Sequence, residues 1–218
     1  MPHIDFKITA ARASTASPIL ILAHGAGAPM DSDFMEHMAQ ALAARGVTVA
    51  RFEFAYMALR RQGHARRPPP KMDVLSEEYR TAIAALRRQH PQVPFIIGGK
   101  SMGGRVASLI ADELFQAGTI RGCACLGFPF HPPKQPAKLR TSHLITTRCP
   151  VLIVQGTRDS LGDQAMVCGL TLSSAIELQW LADGDHDFKP RIASGHSHQQ
   201  HISTAAAAVA YFVQRVCR

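Results

Sequence analysis

The segment 99–103 reads GKSMG, which matches the pattern G-x-S-x-G. In this pattern the serine lies on a sharp turn between a strand and a helix, and the turn exposes its hydroxyl. Gly99 and Gly103, two positions away on either side, leave room for such a turn. The apolar run 95–97 before the motif and the helical pattern after it supply the required strand and helix. We therefore predict that Ser101 is a nucleophile.

A phosphate-binding loop is the alternative interpretation of Gly99, Lys100 and Ser101. A Walker A loop requires a glycine five residues before Gly99, but Pro94 occupies that position. The run 95–97 is also typical of a strand rather than a loop. These residues argue against nucleotide binding, whereas a purely structural glycine turn with an idle serine stays open.

A serine hydroxyl needs a base to become nucleophilic at neutral pH, and the base needs an acid to hold its tautomer. On a sheet of this kind the chain order is serine, acid, histidine. Asp159 follows the apolar strand 151–155, and His186 follows the last predicted strand in a polar loop. We predict that Asp159 is the acid and His186 the general base. Asp163 is the competing carboxylate, but its position favours capping of the next helix.

The other histidines fit the role of general base less well than His186 does. A structural or substrate-contacting role is expected for His24, His131 and His143, because each precedes the acid in the chain. Three more lie close together in a polar segment without a nearby cysteine, which favours a solvent-exposed loop entering a helix: His196, His198 and His201. We expect no metal and no cofactor.

Two backbone amides are candidates for binding an oxyanion. The Met102 N–H lies at the start of the helix that follows Ser101. The second donor is expected in the loop 24–27, with the sequence HGAG, which follows the strand 19–23; the Ala26 N–H is the best candidate. Gly25 and Gly27 let this backbone approach a ligand closely, and His24 braces the turn.

Strand and helix patterns alternate along the chain. Strands are predicted around 4–8 and over 19–23, 47–54, 95–98, 120–126, 151–155 and 176–181, and helices over about 34–46, 73–90, 103–117 and 203–216. This alternation predicts an α/β fold, a three-layer α/β/α sandwich with a mostly parallel sheet of about six to seven strands. Residues 1–218 are expected to form a single domain.

Composition and charge exclude some function classes. The net charge is +8, carried largely by two segments, 60–71 and 134–148, which lack the interleaved aromatic residues of a nucleic-acid platform. We expect no nucleic-acid partner. The longest apolar run is too short to span a membrane, and no leader pattern precedes it. Five cysteines without a CxxC pair favour reduced thiols and a cytoplasmic protein.

Five phrases in this order resemble the α/β-hydrolase superfamily: HGAG, GKSMGGR, GFPFHPP, QGTRD and GDHDFKPR. The chain is most similar to the small dienelactone-hydrolase-like branch with the testis-expressed-thirty and KANL-type proteins. The resemblance implies catalytic roles for Ser101, Asp159 and His186 and oxyanion amides at Ala26 and Met102. Dienelactone hydrolase itself has a cysteine at the nucleophile position, so its substrate is not transferred.

The GFPFHPP phrase adds Phe130 and His131 to the expected supporting or substrate-binding positions, along with Lys100. The segment after the strand 120–126 lacks the long insertion that a full lid domain needs, and residues 128–148 are expected to form at most a short flap. The predicted function is hydrolysis of a small ester or thioester, with anionic substrates included, through an acyl-enzyme on Ser101, by a monomer or small homo-oligomer. The alternative is a catalytically silent scaffold or binding module with the same fold.

Overall fold

The computed structural model describes residues 4–12 and 17–218. Seven strands form one sheet within these residues: β1 (Phe6–Thr9), β2 (Ile19–Ala23), β3 (Thr48–Phe52), β4 (Phe95–Lys100), β5 (Gly122–Leu126), β6 (Val151–Gly156) and β7 (Ile176–Leu181). Their order across the sheet is β1-β3-β2-β4-β5-β6-β7. Only β1 is antiparallel to its neighbour, and it lies at the edge beside β3.

The described residues also form six α-helices: α1 (Asp33–Ala43), α2 (Ala55–Arg61), α3 (Met72–Gln89), α4 (Met102–Gln116), α5 (Gln164–Cys168) and α6 (His198–Val216). The helices α1 and α6 pack together on one face of the sheet. On the other face α3 packs against α4, and apolar residues of α2 and α5 join the same core. The predicted three-layer α/β/α sandwich with a mostly parallel sheet is therefore confirmed.

The burial of the strands follows their sequence patterns. β2 reads ILILA and is buried at every position because helices cover both of its faces. β1 reads FKIT and is only partly buried, as predicted for an edge strand, although Ile8, which the alternating pattern places on the buried face, is 47% exposed. The residues that follow the parallel strands are thus gathered at one end of the sheet, where ligands bind in folds of this type.

Several element boundaries differ from the prediction, and one helix was not predicted. The third strand ends at Phe52 rather than at residue 54, and the unpredicted helix α2 begins at Ala55 and includes the first two arginines of the basic segment 60–71. The last helix begins at His198 rather than near residue 203. A capping box explains this start: the Ser197 side chain accepts from the Gln200 amide, and the Gln200 side chain accepts from the Ser197 amide.

The connection from β5 to β6 is the place where a lid could be inserted. It contains only one short 3₁₀ turn, Ser142–Leu144, and no lid domain. Within the described ranges, no helix has both the length and the apolar character that a membrane-spanning segment needs.

Candidate active site

Ser101 occupies a strained turn between β4 and α4. Its φ is 51° and its ψ is −113°, a region that residues other than glycine rarely adopt. The close packing explains the flanking glycines: a Cβ on Gly99 would lie 2.5 Å from the carbonyl carbon of Gly103, and a Cβ on Gly103 would lie 2.5 Å from the Ala23 oxygen. The Ser101 amide donates to the Leu126 carbonyl at 2.9 Å, so the turn is fixed to the next strand.

The structure brings His186 and Asp159 to this serine. His186 Nε2 lies 2.9 Å from the Ser101 Oγ, and His186 Nδ1 lies 2.8 Å from the Asp159 Oδ2. Because a carboxylate only accepts, the proton belongs on Nδ1, and Nε2 is left to accept from the serine hydroxyl. Asp159 is fully buried, whereas the His186 side chain is 25% exposed. The three side chains form one hydrogen-bonded chain that ends at an accessible hydroxyl.

Gln155, at the end of β6, is a part of the site that the sequence analysis missed. Its Nε2 donates to the Asp159 Oδ2 at 2.8 Å, while the Leu161 amide donates to the other carboxylate oxygen at 2.8 Å. Two donors besides His186 therefore fix the orientation of the buried carboxylate. A polar residue ending the apolar strand VLIVQ was the available signal, since a buried amide needs partners.

The same Gln155 side chain joins two loops. Its Oε1 accepts from the Phe128 amide at 2.8 Å, and its Nε2 also lies 3.2 Å from the Phe128 oxygen and 3.1 Å from the Gly162 oxygen. The loop after β5 is thereby held against the loop that carries Asp159. All of these atoms are buried, so the hydrogen bonds are shielded from water.

Lys100 holds the loop that carries His186. Its Nζ donates to the His186 carbonyl at 2.8 Å and lies 3.2 Å from a carboxylate oxygen of Asp187. The lysine side chain is only 9% exposed, and this burial lowers the pKa of Lys100, although Asp187 opposes the shift. Gly127, with φ +64°, makes room for the contact, because a Cβ there would lie 2.9 Å from the His186 oxygen.

Two histidines of α6 also bind this loop. His201 is buried and its Nδ1 lies 2.8 Å from the Phe188 carbonyl; His198 Nε2 lies 2.9 Å from the Asp187 carbonyl. Since carbonyls only accept, these ring nitrogens donate. The expectation of a solvent-exposed loop at 196–201 is wrong for His201, which anchors the segment after His186.

The loop 24–27 lies beside Ser101. A Cβ on Gly25 would lie 3.7 Å from the Ser101 Cβ. His24 is fully buried: its Nδ1 donates to the Gly25 carbonyl at 2.6 Å, and its Nε2 accepts from the Phe54 amide at 3.2 Å. Burial lowers the pKa of His24 and so favours the neutral ring that this pairing requires.

The amides proposed as oxyanion donors are unpaired. Neither the Ala26 N–H nor the Met102 N–H donates a hydrogen bond within the described residues. The loop of Ala26 is instead held through its carbonyls: Tyr56 Oη donates to the Ala26 oxygen at 3.0 Å, and Arg60 donates to the Gly27 oxygen at 3.3 Å. Helix α2 therefore positions this loop and leaves its N–H groups free.

The structure places Phe130 and His131 in packing positions. Phe130 is fully buried, with its ring centroid 4.9 Å from that of Phe128, and it fills the space beside Gly162. His131 is buried, and its Nδ1 donates to the Pro132 carbonyl at 2.8 Å. Asp163, the competing carboxylate, accepts from the Met166 amide at 2.9 Å and caps α5, as predicted.

Comparison with solved structures shows the same fold across several bacteria. An α/β serine hydrolase homologue from Coxiella burnetii is 16% identical, with a TM-score of 0.70 over 97% of this chain and 90% of that one. A dienelactone hydrolase from Anabaena variabilis is 18% identical, with a TM-score of 0.71 over 97% and 91%. A serine hydrolase without a lid from Xanthomonas campestris is 18% identical, with a TM-score of 0.66 over 97% and 88%. The family described as Alpha/beta hydrolase domain matches residues 16–214, so the chain belongs to that family.

Proposed function

We propose that the protein is a serine hydrolase that cleaves carboxylic esters or thioesters through an acyl-enzyme on Ser101. The observation that carries the proposal is the continuous hydrogen-bonded chain from the Ser101 Oγ through His186 to the buried Asp159. A serine, a base and an orienting acid in these positions are the requirements of nucleophilic acyl transfer.

The proposed reaction has two halves. His186 Nε2 accepts the hydroxyl proton while the Ser101 Oγ attacks the carbonyl carbon, and the resulting oxyanion accepts from the Ala26 and Met102 amides. His186 then gives the proton to the departing alcohol or thiol, which leaves an acyl-serine. A water molecule, deprotonated by His186, attacks the acyl carbon, and the acid departs as Ser101 recovers its proton. Asp159 stays ionised and stabilises the imidazolium in both halves.

A fluorophosphonate probe tests this function, because it forms a covalent bond only with an activated serine. Wild-type protein is expected to be labelled and Ser101→Ala is not. Ser108 supplies a matched control, since its Oγ also pairs with a histidine, His143, at 2.8 Å but has no acid in line. Ser108→Ala should be labelled like the wild type. Undiminished labelling of Ser101→Ala contradicts the assignment, and an unlabelled wild type favours the non-catalytic scaffold.

We further propose membership in the dienelactone-hydrolase-like branch with the testis-expressed-thirty and KANL-type proteins. The five ordered phrases of the sequence support this finer placement. The proposed compartment is the cytoplasm, supported by the fact that all five cysteines are free. We propose that the protein acts as a monomer or small homo-oligomer and needs no cofactor.

A further inference from the structure

A small cavity opens between the first turns of α4 and the segment after β5. Its volume is about 300 Å³. Three cations and three apolar residues supply most of its lining: Arg105, Lys138, Arg140, Leu109, Pro132 and Leu139. A compartment of this size and composition suits a small group that combines methylenes with a negative charge.

The cations of this cavity have no partners. Within the described residues, no side-chain hydrogen bond or ion pair involves Arg105, Lys138 or Arg140. The Nε of Arg105 is buried without an acceptor. The buried Nε atoms of Arg51 and Arg80 also lack acceptors, but the guanidinium groups of those two arginines pair with glutamates. Arg105 is therefore a half-buried cation without a counter-ion.

The electrostatics of the cavity favour an anion. Burial lowers the pKa of Arg105, and the neighbouring charge of Arg140 lowers it further. Burial and the Arg105 charge together lower the pKa of His143 to about 4, so this lining residue is neutral at physiological pH. Two like charges close together at a partly buried site repel each other, and an anion bound between them relieves this repulsion. Arginine forks match the two oxygens of a carboxylate.

The lining of the cavity begins at Arg105, one helical turn along α4 from the proposed nucleophile. The Arg105 amide donates to the Ser101 carbonyl at 3.0 Å, so the two residues are one helical turn apart, a rise of about 6 Å. In the other basic segment, Arg61 is paired with Asp31 and Glu53, and Arg66 and Arg67 are exposed.

We infer that Arg105 and Arg140, with Lys138 at the rim, bind a carboxylate carried by the ester substrate. This inference rests on the proposed function and deepens it, because it gives the enzyme a class of substrate: short esters or thioesters of carboxylate-bearing molecules. The carboxylate is carried either by the acyl chain or by the alcohol part of the ester, and the experiment below distinguishes these two cases.

The test compares matched pairs of substrates. Mono-p-nitrophenyl adipate against p-nitrophenyl hexanoate places the charge on the acyl chain. The acetate ester of 4-hydroxybenzoate against that of 4-hydroxybenzamide places it on the leaving group. The measured quantity is the ratio of kcat/KM for the charged substrate to that for the neutral one. The ratio is insensitive to partial misfolding because both substrates meet the same active molecules.

The wild type is expected to prefer the charged member of one pair by about ten-fold or more, since a charge-assisted hydrogen bond contributes at least that factor. In Arg105→Met this ratio should fall about ten-fold, and Arg105→Lys should restore part of it. Arg88→Met is the control, because it removes the same charge from an exposed position on α3. Ratios of about one for both pairs, or an equal fall in the control, overturn the inference.

A binding measurement separates the inference from the proposed function. Calorimetric titration of Ser101→Ala uses monomethyl adipate as the acyl-side probe and the acetate ester of 4-hydroxybenzoate as the alcohol-side probe. At least one of the two should show saturable binding that is lost when Arg105→Met is added. Absence of saturable binding for both probes overturns the anion site. If neutral esters are cleaved in a Ser101-dependent way without charge preference, the function stands and the anion site fails. If no ester is cleaved and the fluorophosphonate does not label, the function fails.

Discussion

Gln155 offers the sharpest test of how the site is built. In Gln155→Leu, a side chain of similar size loses every hydrogen bond of the buried amide. Three hydrogen-bonding groups of the side chain are lost: the Oε1, which accepts from the Phe128 N–H, and the two Nε2 hydrogens, which are shared among the Phe128 carbonyl, the Gly162 carbonyl and the Asp159 carboxylate. At about 1 kcal/mol for each group, the free energy of unfolding should fall by about 3 kcal/mol. For a chain of this length, the melting temperature should fall by roughly 6 to 12 °C.

The same change should slow catalysis. Asp159 loses one of its three donors, and a hydrogen bond to a charged group contributes about 1.5 to 3 kcal/mol. We therefore expect kcat for p-nitrophenyl hexanoate to fall about ten-fold or more. Urea denaturation and steady-state kinetics measure the two effects. Gln179→Leu is the control, since the Gln179 amide reaches only its neighbour's carbonyl, at 3.1 Å.

Gln155→Glu gives an independent reading of the same contacts. It places a carboxylate oxygen where the amide nitrogen lies 2.8 Å from the Asp159 Oδ2. The ionised form is repelled, so the pKa of the introduced carboxyl is raised in the folded state. Such a group contributes stability at low pH and loses it as the pH rises. The deficit relative to wild type should thus be smaller at about pH 5 than at about pH 8. Stability within about 1 kcal/mol of wild type for Gln155→Leu, or a pH-independent deficit for Gln155→Glu, would refute the reasoning.

Two further predictions concern charged side chains. Lys100→Met should lower kcat about ten-fold with little change in KM, because the Lys100 Nζ fixes the carbonyl of His186. The free energy of unfolding, measured by urea denaturation, should change by only about 1 kcal/mol, because the substitution also removes a buried ammonium group. Hydrogen bonds from Lys7 and Arg51 lower the pKa of Glu36 from 4.5 to about 2. The ionised Glu36 carboxylate therefore stabilises the folded state at a pH above 4.5, and this stabilisation is lost as the pH falls toward 2. Glu36→Gln should therefore be about 1 to 2 kcal/mol less stable than wild type at neutral pH and converge with it near pH 2 in urea denaturation; a constant difference contradicts this.

Much of the fold is readable from the sequence because its strands are buried on both sides and its helices are amphipathic. Helix α2 escaped prediction for a physical reason. Its N-cap is Phe54, without a side-chain cap, and its stability comes from the burial of Tyr56 and Met57 against the core. Tertiary packing of this kind leaves no local signal. The start of α6 did leave one, the Ser197 and Gln200 capping box, which the polar character of the segment concealed.

The chain order of serine, acid and histidine, and their places after strands, could be predicted because parallel strands bring their ends together. The supporting contacts could not. Lys100 contacts a loop 86 residues away, and Gln155 contacts Phe128 across 27 residues. Whether a polar side chain at a strand end is buried or exposed depends on which loops cover it. That information lies in the packing rather than in any local pattern.

The backbone strain at Ser101 predicts that glycine at this position gives a more stable protein than alanine. Its φ of 51° and ψ of −113° are readily adopted by glycine and strained for other residues, at about 1 to 3 kcal/mol. Glycine also costs about 0.5 to 1 kcal/mol of extra chain entropy on folding. The difference leaves Ser101→Gly about 1 kcal/mol more stable than Ser101→Ala.

Ser108 provides the opposite case, because it lies inside α4 with ordinary helical geometry. There the glycine variant should be about 1 kcal/mol less stable than the alanine variant. Urea denaturation of the four variants measures both differences. If glycine is the less stable choice at both positions, the turn stores no strain. If the sign reverses only at Ser101, the protein gives up stability at the one position where an exposed hydroxyl requires it, a compromise expected of a residue kept for chemistry.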